Sequence, residues 1–250
     1  MITDSFDSKT KALITPQNFY GKPQQHLVDI CLVTFSRVIS EAILSQFKCE
    51  KIAEVSFCNG SQPIYKFAYQ GKTIAFYLSL IGSSSAAEMV IETNWLTGAT
   101  KFIMFGSAGS LDEQKTTKKF VVPCAAYRDE GMSYHYAAPQ DYIAVKNSQR
   151  VAEILTELQL PFVVGKIWTT DAVLRETVGQ AAKRRAEGCI AVEMEVAGVQ
   201  AVCDYHGFEL YDFLVTGDVL AEDSYSLGTL ADAHHNVDKL QVALAIASRV

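Results

Sequence analysis

No apolar run in these 250 residues is long enough to cross a bilayer. The opening residues also lack the charged-then-apolar pattern of a secretory leader, so the expected setting is the cytoplasm. Cysteines with paired spacing are missing as well: Cys31, Cys49, Cys58, Cys124, Cys189 and Cys203 are scattered. That excludes a disulfide framework or a zinc site of close pairs, and it leaves them as small core residues in a reducing compartment. Excess positive charge is absent, the formal charge being −6 with signs mixed throughout, so there is no basic stripe for a polynucleotide. The short runs Lys115 to Lys119 and Lys183-Arg184-Arg185 read as solvated faces or loops. No dinucleotide fingerprint exists, because Gly106 and Gly109 lack a leading glycine and an acid about twenty residues on. A P-loop lysine is missing too. These absences remove the common oxidoreductase and nucleotide triphosphatase readings. His234 and His235 are adjacent rather than spaced for one metal, and are expected to be exposed; no metal site is expected.

What is present is alternation. Residues 1–27 are polar and broken by Pro16, Gly21 and Pro23, which reads as an N-terminal arm. Residues 28–250, rich in apolar side chains, read as one domain. Strands are expected over Val28 to Thr34, Lys101 to Phe105, Phe120 to Ala126, Phe162 to Ile167, Cys189 to Val192 and Leu210 to Thr216. Helical patterns are expected from Ser36 to about Phe47, Ala86 to Leu96, Ser148 to Leu158, Glu176 to Arg185, Val196 to His206 and Leu230 to Ala247. A hairpin turns at Gln70-Gly71. The fold class is therefore α/β, with a mixed central sheet flanked by helices.

The most informative stretch is Val192-Glu193-Met194-Glu195-Val196, two carboxylates at a strand-to-helix junction. Open α/β sheets bind ligands at such junctions. A helix N-terminus favours negative charge, so one acid can serve the helix dipole while the other accepts hydrogen bonds from a polyhydroxyl ligand. The next strand delivers Gly217-Asp218 at its carboxyl end, and two neighbouring strands would then present Glu195 and Asp218 to one crevice. Gly106-Ser107-Ala108-Gly109 reads either as a loop that offers backbone amides to a ligand or as a plain tight turn. Arg37 stands at a strand-to-helix turn of the kind that binds anions. The Asp129 to Tyr136 run crowds rings into a polar loop, which is either a packed surface or a ligand or subunit contact.

Four segments, Gly106 to Gly109, Asp129 to Tyr136, Val192 to Glu195 and Val215-Thr216-Gly217-Asp218, resemble in order and approximate spacing those of the nucleoside phosphorylase family. That family includes bacterial-type purine nucleoside phosphorylases, uridine phosphorylases and related nucleosidases. The resemblance covers the chain from about Asp29 onward. It implies that Glu195 binds the ribose hydroxyls, that Met194 packs on the sugar and that Glu193 lies near base or sugar. It also implies that Asp218 protonates the departing base, which tilts the substrate towards a purine. Thr169 to Arg175 matches the segment that flanks the base, giving Val173 and Arg175 as substrate contacts, although Val173 and Leu174 replace an aromatic pair.

Phosphate as co-substrate, with no other cofactor, is implied on Ser107, Gly109 and Arg37. The phosphorylases carry an arginine where this chain has Met104, and the hydrolytic branch does not. Phosphorolysis to free base and ribose 1-phosphate is slightly preferred, hydrolysis by a nucleosidase competes, and a non-catalytic nucleoside-binding homologue or an unrelated α/β transferase remain alternatives. The resemblance further implies a homo-oligomer with shared active sites, the Tyr134 to Tyr136 region reaching a neighbour. Physically, breaking a C–N glycosidic bond builds positive charge on the sugar and negative charge on the base. A carboxylate at the hydroxyls and a protonated acid at the base stabilise both, and burial would raise the pKa of Asp218 as that role needs.

Overall fold

Buried strands and the helices packed on them build the fold. A computed structural model describes residues 1–23 and 25–250. The arm carries a one-turn helix α1 (Pro16–Tyr20) with proline at its first position, where the missing N–H costs nothing. Its Tyr20 hydroxyl donates to Glu92 at 3.1 Å. β1 (Ile30–Thr34) is buried at every position. α2 (Arg37–Gln46) starts at Ser36, whose hydroxyl accepts the Ile39 N–H at 3.3 Å. β2 (Glu50–Phe57), β3 (Gly60–Tyr69) and β4 (Lys72–Leu78) form a meander, and α3 (Ser83–Thr97) follows.

β5 (Lys101–Ser110), α4 (Glu113–Thr116), β6 (Phe120–Asp129), α5 (Ser133–Tyr136), β7 (Tyr142–Ala144), α6 (Ser148–Glu157) and β8 (Phe162–Thr170) come next. The chain ends with α7 (Val178–Ala186), β9 (Cys189–Glu193), α8 (Val196–His206), β10 (Glu209–Leu220), β11 (Tyr225–Ser226), α9 (Leu230–His235) and α10 (Asp238–Ala247). Gly207 closes α8 in the left-handed conformation, φ 74°, as the His206-Gly207 stop anticipates.

The hydrogen-bonded strand order is β11-β10-β6-β8-β9-β5-β1-β4-β3-β2, with β7 on β6 and a further pairing of β10 with β5. The path therefore returns on itself. β5, β9, β8, β6 and β10 form a closed ring, from which β1, β4, β3 and β2 extend as an open sheet. α3 and α8 cover one face, burying Met89, Val90, Val199 and Val202. α2, α6 and α10 cover the other, burying Ile39, Ile154, Leu240 and Leu244. This is the mixed sheet with flanking helices that the pattern of apolar runs implies.

Several local expectations change. The segment Gly106 to Gly109 is not a loop: it lies within β5, which runs to Ser110. Glu195 and Asp218 are not delivered by neighbouring strands, because β5 pairs with both β9 and β10 and lies between them. β2 is an additional strand; its alternating charges mark a sheet edge rather than a core, so no apolar run announces it. The expected single helix from Leu230 to Ala247 is two, broken where the Asn236 side chain accepts the Asp238 N–H at 2.8 Å. The run Lys183-Arg184-Arg185 is not simply solvated. Arg184 is buried with its guanidinium 3.4 Å from the Tyr127 ring centroid, and Arg185 donates to the Leu111 carbonyl at 3.0 Å and the Ala221 carbonyl at 2.7 Å. These bonds staple α7 across the ends of β5 and β10.

Candidate active site

The junction of β9 and α8 divides the work of its two acids. Glu193 accepts the backbone N–H groups of Glu195 at 2.6 Å and Val196 at 2.8 Å, together with the Thr169 hydroxyl. It is the carboxylate that satisfies the orphan donors of α8. Glu195 caps nothing with its side chain. One of its oxygens accepts the Gly82 N–H at 2.7 Å, at the start of α3, and its other oxygen has no hydrogen-bond partner among the described residues. Glu195 is the acid left free for a ligand.

A cavity of about 750 Å³ opens over this junction. Its walls include Glu193, Met194 and Glu195 from the β9–α8 turn, Met104 and Gly106 to Gly109 from β5, Asp212, Leu214 and Asp218 from β10, and Val173, Leu174, Glu176, Thr177 and Val178 around the start of α7. Of the residues that sequence reasoning singled out, Ser107, Gly109, Val173, Glu193, Met194, Glu195 and Asp218 thus share one cavity. Two do not. Arg37 is exposed at the first position of α2, and Arg175 is exposed in the short turn Val173–Arg175; neither lines it. The Asp129 to Tyr136 run lies elsewhere, with the Arg128 guanidinium 4.2 Å from the Tyr134 ring centroid and the Tyr134 hydroxyl donating to the Arg128 carbonyl at 3.0 Å.

A β-bulge aims Asp218. The register of β10 on β5 slips between Thr216 and Asp218, so Gly217 is the extra residue and Asp218 pairs with Gly109. Gly217 must lack a side chain because α9 packs against it, an added Cβ falling 2.6 Å from the Ala233 Cβ. Gly109 is needed for a different reason from the one its sequence suggests: an added Cβ would stand 2.8 Å from Leu220 Cδ1 and 3.2 Å from the nearer Asp218 oxygen.

Sequence reasoning missed three acidic and imidazole features of this cavity. Asp212 is only 1% exposed and neither carboxyl oxygen has a hydrogen-bond partner. Burial, and then the nearby Glu193 and Glu195, hold it well above the usual carboxylate range. It read as part of a buried strand, and its cross-strand partner is Met104. Glu176 is pushed up to about 7 by burial and then by Asp218. The third feature is a pair of hydroxyl–imidazole contacts, Ser107 Oγ to His234 Nδ1 at 2.5 Å and Ser36 Oγ to His235 Nδ1 at 2.9 Å. Both histidines are exposed as expected, yet they line the cavity. No short-range signal joins partners 127 and 199 residues apart.

Chemically, the cavity offers six carboxyl groups, from Glu176, Glu193, Glu195, Asp212, Asp218 and Asp223, and two imidazoles. Among the described residues, none of its walls is lysine or arginine. Burial raises both Glu193 and Glu195, and the charge of Glu195 raises Glu193 further. An acid-rich, partly protonated site of this kind stabilises positive charge and donates protons. Among the described residues no group of three or more histidine, cysteine or acidic side chains could hold a metal ion.

The chain is similar to known proteins in both sequence and fold. The purine nucleoside phosphorylase (DeoD-type) of Colwellia psychrerythraea is 28% identical over 189 residues, 73% of this chain and 77% of the relative. That of Exiguobacterium sp. is 26% identical over 181 residues, 68% of this chain and 73% of the relative. In three dimensions the chain superposes on futalosine hydrolase of Helicobacter pylori with a TM-score of 0.71 at 17% identity, covering 90% of this chain and 99% of that one. It superposes on the 5′-methylthioadenosine/S-adenosyl homocysteine nucleosidase of Campylobacter jejuni with a TM-score of 0.71 at 18% identity, covering 89% of this chain and all of that one. At such identities the superpositions establish the fold. The family model described as the phosphorylase superfamily matches residues 29–248, and the chain therefore belongs to the phosphorylase superfamily.

Proposed function

We propose that this protein cleaves the N-glycosidic bond of a purine-type ribonucleoside and that water is the acceptor of the sugar. One observation carries the choice of water: the cavity holds six carboxyl groups and, among the described residues, no lysine or arginine. A phosphate dianion brought among those groups would lose its hydration without a compensating cation. Water has no such requirement. The slight preference of the sequence for phosphate thus yields to the composition of the walls.

In this reading the free oxygen of Glu195 accepts the ribose hydroxyls and Met194 packs on the sugar. Apolar Val173, Leu174 and Val178 flank the base. Asp218, beside Glu176, supplies the proton to the departing ring nitrogen, and Glu176, pushed up to about 7 by burial and then by Asp218, is the neighbouring carboxyl that retains a proton near neutrality. The acids stabilise positive charge on C1′ as the bond breaks.

A second reading, phosphorolysis to ribose 1-phosphate, is favoured by Arg37, exposed beside Ser36 and without an ion-pair partner among the described residues, and by the phosphorylase names of the sequence relatives. A homo-oligomer with shared sites and a cytoplasmic setting belong to either reading; among the described residues no helix is long and apolar enough to cross a membrane. The test is base release from inosine, guanosine, adenosine, methylthioadenosine and uridine, with and without phosphate. Free ribose in phosphate-free buffer supports hydrolysis. Strict phosphate dependence with ribose 1-phosphate as product selects phosphorolysis, and binding without turnover selects a non-catalytic homologue.

A further inference from the structure

The Ser107–His234 contact sits on the cavity wall among acids that cannot all be ionised, and the fold holds it there by more than one means. His234 lies near the end of α9, which docks on the Gly217 bulge through the Thr229 N–H to the Gly217 carbonyl at 2.7 Å. Behind it the Lys239 ammonium, 1% exposed, donates to the Ala233 carbonyl at 2.6 Å, the Gly106 carbonyl at 3.2 Å and the His234 carbonyl at 3.3 Å. One buried cation therefore ties the backbone of His234 to the strand residue that precedes Ser107. The adjacent ring is fixed in the same way, His235 resting on Ser36, whose hydroxyl also accepts the Ile39 N–H. Burying a lysine against three carbonyls is costly unless the geometry it enforces is complete, and that geometry is the placement of an imidazole against a serine hydroxyl.

We propose that Ser107 and His234 form the proton-accepting relay that activates the attacking water. The proposal rests on the hydrolytic reading above. As the bond from C1′ to the base nitrogen breaks, its electron pair goes to the base, which takes a proton from Asp218. Water forms the new C1′–O bond, and its surplus proton passes to Ser107 Oγ while the Ser107 proton passes to Nδ1 of His234. The imidazolium then returns one proton to the Asp218 carboxylate through water, and both groups are reset. Nothing is oxidised, and one water is consumed for each base released.

A relay base must be neutral before the step. The groups that face His234 are Lys239 from α10, His235 from α9 and Asp218 from β10. Burial first, then Lys239 and His235, hold His234 below the ordinary histidine value, against an opposite pull from Asp218. A neutral ring is a poor phosphate ligand and a competent base. The same geometry thus fits water better than an oxyanion.

The experiment is base release in phosphate-free buffer by wild type, His234→Ala, His234→Gln and Ser107→Ala, with nucleoside affinity measured separately by calorimetry and folding by circular dichroism. Loss of a positioned general base lowers rates by about 10²–10⁴-fold. The expected result is a kcat loss of that order in both His234 variants, nucleoside affinity within about threefold of wild type, loss of the acidic limb of the kcat–pH profile, and partial rescue of His234→Ala by added imidazole. A His234→Gln enzyme that turns over within about threefold of wild type would overturn the relay while leaving hydrolysis standing. A wild type that releases base only with phosphate, giving ribose 1-phosphate, would overturn both. Loss of affinity with unchanged kcat would make the pair a binding contact and reject the relay.

Discussion

Glu193 accepts the backbone N–H of Glu195 at 2.6 Å, so the first acid of the pair holds the second in place while the second keeps an oxygen free. The two carboxylates, two positions apart, therefore have separable effects. Glu193→Ala removes the acceptor of two buried amides and is expected to cost about 1–3 kcal/mol of stability. Glu195→Gln is expected to leave the melting temperature within a few degrees and to lower kcat/KM by about 10²-fold through lost stabilisation of the sugar cation. Thermal unfolding and steady-state kinetics on both variants check this; equal stability losses would show that the roles are not divided.

Asp218→Asn keeps the shape of the bulge and removes the proposed proton donor. Base release is expected to fall by about 10²–10⁴-fold with nucleoside affinity largely retained. Stopped assays beside calorimetry decide it, and turnover equal to wild type removes Asp218 from the chemistry.

Gly109→Ala places a methyl group 3.2 Å from an Asp218 oxygen and 2.8 Å from Leu220. The neighbours are side-chain ends that can shift, so the expected stability cost is about 1 kcal/mol. The displaced carboxyl is expected to lower kcat by about tenfold or more, since a misplacement of about 1 Å can cost 10²-fold. If activity and stability fall in proportion, the crowding acts on the fold and not on Asp218.

Stability should fall as pH rises from about 6.5 to about 8. Burial raises Glu176, Glu193, Glu195 and Asp212 above their unfolded values, and neighbouring charge adds to it at Glu176, Glu193 and Asp212. A raised carboxyl binds more protons folded than unfolded, so its contribution is present below the unfolded value near 4 and is lost as pH climbs through the folded one. The window avoids His206 and His234, whose lowered values act at more acid pH, and Lys239, lowered to about 8, which acts above it. Asp212→Asn should flatten the slope by up to about 1.4 kcal/mol per pH unit, one proton's worth. Melting temperatures across the window measure this; a slope unchanged by the substitution means Asp212 is ionised in the folded protein.

The sheet class and most helices were legible because their apolar periods are local, as in Val196, Val199, Val202 and Cys203 along α8. The acids at the β9–α8 junction and Asp218 were legible as chemistry without a scaffold. Which acid caps α8 was not, since Glu193 and Glu195 differ only in direction, and direction is set by Gly82 and Thr169, far along the chain. Gly106 to Gly109 misled as a loop because small residues signal turns, whereas here they let β5 carry β9 on one edge and β10 on the other. Asp212 and the serine–histidine pairs were invisible for a related reason: a lone acid in an apolar run, or two adjacent histidines, carry meaning only once distant strands are brought together.

The closed ring has a consequence for biosynthesis. β10 is the last of its five strands to leave the ribosome, and it inserts between β5 and β6. A nascent chain that stops before Glu209 therefore leaves unpaired the long edge of β5 and the short edge of β6 that β10 covers, each a template for pairing with another chain. It also lacks Asp212, Asp218 and His234, so this wall of the cavity and protection from aggregation arrive in the same final stretch of translation.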